Sequence, residues 1–65
     1  MDKQYRLKYQ GKWMAVRKVL GSCVYELHDN PDGISPVSFN KANCQKGLVC
    51  SDNDLEMDSV EIIEV

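Results

Sequence analysis

Polar and apolar residues alternate through the first third of the chain. In "QYRLKY", residues 4 to 9, Tyr5, Leu7 and Tyr9 fall on one side of an extended backbone and Gln4, Arg6 and Lys8 on the other. That period of two is the mark of a half-buried strand. Gln10-Gly11 then supplies a tight turn, since Gly takes positive φ without a steric penalty. "KWMAVRKV", residues 12 to 19, is apolar at every position from Trp13 to Val16, as expected of a central strand. Leu20-Gly21-Ser22 turns the chain again. "CVYELHD" then sets Cys23, Tyr25 and Leu27 against Val24, Glu26 and His28. Helical spacing fits none of these segments, so they predict a three-stranded meander.

The second half is more broken. "DNPDG", residues 29 to 33, is the strongest turn signal: Pro31 pushes Asn30 out of the α region, and Asp32-Gly33 favours a left-handed closing residue. Pro36 restricts "ISPVSF" to an edge strand or an extended connection. "NKANCQKG" is polar and reads as a loop or a single helical turn near residues 40 to 46, capped by Gly47. "LVCS" is a short apolar segment. "DSVEIIEV" is β-branched and predicts a closing strand, against a competing helix started by Ser51. The sum is one mostly-β domain over residues 1 to 65, with five short strands in a strongly bent sheet or small barrel. A meander, an irregular connection and a last strand resemble, as a layout, the SH3-like and Tudor-like barrels.

Size limits what such a domain does. A chain of 65 residues buries only about 60% of the surface its unfolded form exposes. That leaves room for a small core and one binding face, but little for a catalytic cleft with supporting layers. Trp13 to Val16 is the longest apolar run, far short of a bilayer span. "MDKQYRLKYQ" lacks the apolar region of a secretory signal. Three cysteines, Cys23, Cys44 and Cys50, make an odd count that argues against a disulfide framework and for reduced thiols, hence a cytoplasmic setting.

Charge is polarised. Lys3, Arg6, Lys8, Lys12, Arg17 and Lys18 outweigh Asp2, Glu26 and Asp29 in residues 1 to 30, a net of +3. Residues 31 to 65 hold two cations and seven carboxylates, a net of −5. Opposite poles suit a protein partner or self-association better than bulk nucleic acid.

Within the acidic half, "SDNDLEMDSVEIIE" carries six carboxylates and no cation. If it is extended, Asp52, Asp54, Glu56 and Asp58 share the solvent face while Leu55 and Met57 face the core. Such a face guards against edge-to-edge pairing. The glycine and terminal glutamate of a calcium loop are absent, so no metal is expected here. Mimicry of a nucleic-acid backbone by this acidic face needs a second row of carboxylates, from another strand or from the twofold partner of a dimer, because same-face residues lie about 6.6 Å apart in a strand and phosphates about 3.4 Å apart. Cys23-x4-His28 and Cys44-x5-Cys50 lack zinc-knuckle spacing, and Cys23 and His28 fall on opposite faces of one strand. The tyrosines read as core, with Arg6 and Lys8 on the far side. Trp13, beside a turn, is a candidate interface anchor at the sheet's margin.

No nucleophile motif, phosphate loop or cofactor signature is present, so catalysis and cofactors are not expected. The expectation is a non-catalytic protein-binding module, a small inhibitor or adaptor of the kind phages and plasmids direct against host or defence enzymes. Its contact would be Asp52, Asp54, Glu56 and Asp58 with Trp13. The alternatives are a nucleic-acid-binding barrel using Lys12, Arg17 and Lys18, and a structural subunit that forms oligomers.

Overall fold

The alternation at the start of the chain yields the strands it predicts. In a computed structural model, which describes residues 3–65, β1 is Tyr5–Tyr9, β2 is Lys12–Val19 and β3 is Ser22–His28. Both hairpin turns have two residues: Gln10 and Gly11 at φ 50° and 80°, Leu20 and Gly21 at φ 52° and 85°. Paired positive φ values define type I′ turns, whose twist matches the right-handed twist of the flanking strands. A fourth strand, β4 (Val60–Glu64), closes onto β1 antiparallel, with Tyr9 opposite Val60 and Leu7 opposite Ile62.

The sheet runs β3-β2-β1-β4. β3 and β4 are therefore separate edges, and the sheet is open rather than closed into a barrel. Among the described residues there are four strands where the pattern predicts five.

The missing strand is replaced by α1, a helix of 14 residues over Phe39–Asp52. It absorbs "NKANCQKG" and "LVCS", and Gly47 lies inside it rather than at its cap. Ser38, in extended conformation, starts the helix, its Oγ accepting from the Lys41 N–H at 3.3 Å. That is ordinary N-capping. Ala42, Val49 and Cys50 form one buried stripe at spacings of seven and eight, two helical turns apart. It packs against Leu7, Met14 and Val60 to make the core. Tyr5, Tyr9, Val16, Tyr25 and Ile62 flank it from the same sheet face. Tyr5 meets Phe39 edge-on at 5.3 Å, and Tyr9 meets Tyr25 at 6.1 Å, geometries that aromatic rings prefer.

The other sheet face carries no helix. There Arg17 pairs with Glu26 at 2.7 Å, His28 lies 3.5 Å from Glu26, and Lys8 sits 4.9 Å from the centre of the Trp13 ring. Arg6 Nε donates to the Ile34 carbonyl at 3.0 Å, which ties the connection between β3 and α1 to β1. No helix among the described residues is long and apolar enough to cross a membrane.

Candidate binding cleft

The register of β1 and β2 contains a break. Pairing proceeds from Tyr9 opposite Lys12 to Leu7 opposite Met14 and stops there. Continuing it would set Tyr5 against Val16. Instead, Tyr5 exchanges both backbone hydrogen bonds with Val37, at 2.7 and 2.9 Å. Val37 occupies the lane that β2 would fill, and β2 leaves the sheet there while staying paired with β3 through to Val19 and Ser22.

Alternation along β2 decides where its backbone groups point. In the two-residue hairpins, Tyr9–Lys12 and Val19–Ser22 are the closing hydrogen-bonded pairs, so Lys12, Met14, Val16 and Lys18 face β1 and Trp13, Ala15 and Arg17 face β3. Beyond Met14 no residue of β1 pairs with β2. The N–H and C=O groups of Val16 and Lys18 then form a short free edge inside the fold, with no backbone partner among the described residues.

That edge borders a cleft of about 330 Å³. One wall is β2 from Val16 to Lys18, with Cys23 of β3 beside it. The other is a stripe of α1 at helical spacing: Lys41, Cys44, Gln45 and Leu48. The stripe lies beside the core-facing one, which leaves Leu48 partly exposed and Cys44 open to solvent. Val16, Cys23, Cys44 and Leu48 make the floor apolar. The charged lining residues are all cationic, and Arg17 is already paired with Glu26 on the opposite face. Lys18 and Lys41 make no ion pair among the described residues.

The outer edge of β3 is capped at one residue, Cys23. Asp52 Oδ2 accepts from the Cys23 N–H at 2.7 Å, and Asn53 Nδ2 donates to the Cys23 carbonyl at 2.8 Å and to the Val49 carbonyl at 3.1 Å. Two side chains at the end of α1 thus stand in for a neighbouring strand at Cys23. This fixes the helix terminus against the hairpin and sets the width of the cleft.

The residues singled out in the sequence are dispersed. Asp52, Asp54, Glu56 and Asp58 do not share a strand face: Asp52 ends α1, Asp54 has φ 55°, and Asp58 lies in a one-turn 3₁₀ segment at Met57–Ser59. The reason is the helix, which runs through Asp52 and leaves the rest to a tight return. Asp52 is committed to Cys23, while Asp54, Glu56 and Asp58 are exposed. Trp13 is half-buried on the helix-free face of an inner strand, not at a lateral margin. Lys12 pairs with Asp29 at 3.4 Å and Arg17 with Glu26, so of Lys12, Arg17 and Lys18 only Lys18 turns to the cleft uncompensated. Cys23, Cys44 and Cys50 are free thiols, two of them buried. Among the described residues no three His, Cys, Asp or Glu side chains converge as a metal site.

Lys41, Cys44 and Leu48 do not stand out in the sequence, where "NKANCQKG" reads as a loop or a single helical turn and "LVCS" as a separate apolar segment. Their spacing of three, four and seven is the signal that marks them as one helix face. Leu20 is a second unread feature. It is 101% exposed at φ 52°, a conformation that costs a non-glycine residue about 1 kcal/mol or more. Asn or Gly would suit that turn position better.

The architecture is an open four-stranded antiparallel sheet with one helix on one face. No protein-family model, curated protein or solved structure matches this chain.

Proposed function

We propose that this protein is a non-catalytic protein-binding module, an inhibitor or adaptor, that receives an extended segment of its partner in the cleft between β2 and α1. The observation that carries this reading is the free backbone edge at Val16 and Lys18, set directly beside an apolar floor. Unpaired edges are ordinarily covered or blocked, because they recruit other chains. Here the outer edge of β3 is capped at Cys23 by Asp52 and Asn53, while the inner edge of β2 at Val16 and Lys18 has no such cap among the described residues. A peptide that adds there gains main-chain hydrogen bonds and packs alternate side chains on Leu48 and Val16, the usual division of affinity and specificity in strand addition.

Leu20 supports the same reading. A large apolar side chain held in a strained turn and wholly in solvent serves no folding purpose, and strained positions cluster at functional sites. It extends the contact from the cleft to the tip of the β2–β3 hairpin.

The test is quantitative co-purification from source lysate, after nuclease treatment, with three forms of the protein. Leu48→Asp places a charge on the cleft floor at a partly exposed site and should abolish recovery of the partner. Replacing Asp54, Glu56 and Asp58 by Asn should leave recovery intact. The reverse pattern would move the contact to the acidic turn. Loss of all recovery after nuclease treatment would favour nucleic acid and the cations Lys12, Arg17 and Lys18.

A further inference from the structure

Resting on the strand-addition reading, we infer that the segment accepted by the cleft is acidic, with carboxylates flanking a central apolar residue on the side that faces α1. The two ends of the cleft are fixed by the fold. α1 starts just after Val37, which pairs with Tyr5, so Lys41 in its first turn marks one end. α1 ends against Cys23, the residue opposite Lys18, so Lys18 marks the other. Between them lie Leu48 and Cys44 on the helix and Val16 on the strand.

Lys18 lies on the helix side of the sheet and Lys41 on the helix that covers it, and both line the cleft. Lys18 shares its strand face with Met14 and Val16, by alternation, and Lys41 belongs to the lining stripe of α1. Neither has a carboxylate partner among the described residues, and the lining contains no carboxylate. Two unpaired ammonium groups at the ends of an apolar slot favour a ligand that brings two negative charges and one apolar side chain.

On the helix, Leu48 lies seven residues beyond Lys41, about 10 Å of axial rise, and one turn before the end of α1 that meets Cys23. In an added strand, residues i and i+4 point to the same side about 13 Å apart, with i+2 between them. A pattern of acid, any residue, apolar, any residue, acid therefore offers one apolar side chain to the cleft floor between two acids, each open to a flexible lysine side chain. Single-stranded nucleic acid would also bring negative charge, but it offers no N–H and C=O ladder for the edge of β2. The free edge decides for a peptide.

The experiment uses the full chain and a fluorescein-labelled peptide, Ser-Glu-Val-Leu-Val-Glu-Ser, blocked at both ends, read by fluorescence anisotropy. The expected results are saturable binding, affinity about tenfold weaker when both Glu are replaced by Gln, and losses of about threefold each for Lys18→Ala and Lys41→Ala. These match the modest strength of partly exposed ion pairs. Binding should weaken as salt rises, because the charges are screened. N-methylation of the peptide backbone on its hydrogen-bonding edge should abolish binding.

Equal binding of the Gln peptide, or tighter binding of a Lys version, would overturn the acidic preference. Strand addition itself would survive that result if N-methylation still blocked binding. Failure of all three peptides to bind would overturn both readings. A labelled oligothymidine that binds and competes for Lys18 and Lys41 would overturn the inference in favour of phosphate recognition.

Discussion

Replacing Asn53 with Ala removes one side chain that serves two carbonyls. Its Nδ2 lies 2.8 Å from the Cys23 oxygen and 3.1 Å from the Val49 oxygen. The first bond joins the helix terminus to β3 and the second caps the last turn of α1. A hydrogen bond of this kind contributes about 0.5–1.5 kcal/mol net, so the loss is about 2 kcal/mol. A domain of this size rarely has more than roughly 3–5 kcal/mol in total, and each kcal/mol moves Tm by about 4–8 °C. The expected change is therefore a fall in Tm of about 8–16 °C, with a reduced urea midpoint and an unchanged m value. Asn53→Asp, nearly the same shape, should be at least as damaging, because a carboxylate cannot donate and faces two carbonyl oxygens at a helix C-terminus. Asp52→Asn keeps an acceptor for the Cys23 N–H and should cost less than either. Circular dichroism melts and urea titrations measure all three. If Asn53→Ala and Asn53→Asp both fell within about 0.5 kcal/mol of the parent, the range of an inconsequential surface change, the idea that this pair of side chains clamps α1 to β3 would be wrong.

Further changes probe other parts of the account. Val49→Ala opens space at a side chain with 0% exposure and should cost about 2–3 kcal/mol from lost burial and the cavity left behind; urea denaturation reads this directly. Gly47→Ala should stabilise by about 0.5–1 kcal/mol, because the position is mid-helix and an added Cβ meets nothing within 4 Å; a fall in Tm would show that α1 is not continuous there. Leu20→Asn should raise stability by about 0.5–1 kcal/mol through relief of the left-handed strain, yet reduce partner recovery in the co-purification assay. If recovery did not change, Leu20 would have no part in the contact.

Period-two alternation made β1 and β3 legible, the continuous apolar run Trp13 to Val16 marked β2 as an inner strand, and the two X-Gly turns joined them. β4 was legible from its run of Val60, Ile62 and Ile63, whose branched side chains fit a pleated surface. α1 was not. Asn40, Asn43 and Gly47 are weak helix formers, and Val49 and Cys50 add little propensity. The helix exists through tertiary packing of Ala42, Val49 and Cys50 on the sheet and through the Ser38 cap. Once its extent is known, the acidic stretch ceases to be a strand, and Asp52 becomes a tie rather than a free carboxylate. The cleft was invisible for a further reason. It depends on Val37 displacing β2 from β1, a long-range pairing of two residues 32 positions apart in the chain, and no local pattern encodes it.

The most direct test is amide hydrogen exchange by NMR, residue by residue along β2. In the free protein, Met14, Arg17 and Val19 should exchange slowly, since they are paired with β1 or β3, while Val16 and Lys18 exchange fast. Saturation with the acidic peptide should bring Val16 and Lys18 to slow exchange and leave the other three unchanged. Slow exchange at Val16 and Lys18 in the free protein would mean that the edge is already closed, and the binding cleft proposed on it would fall.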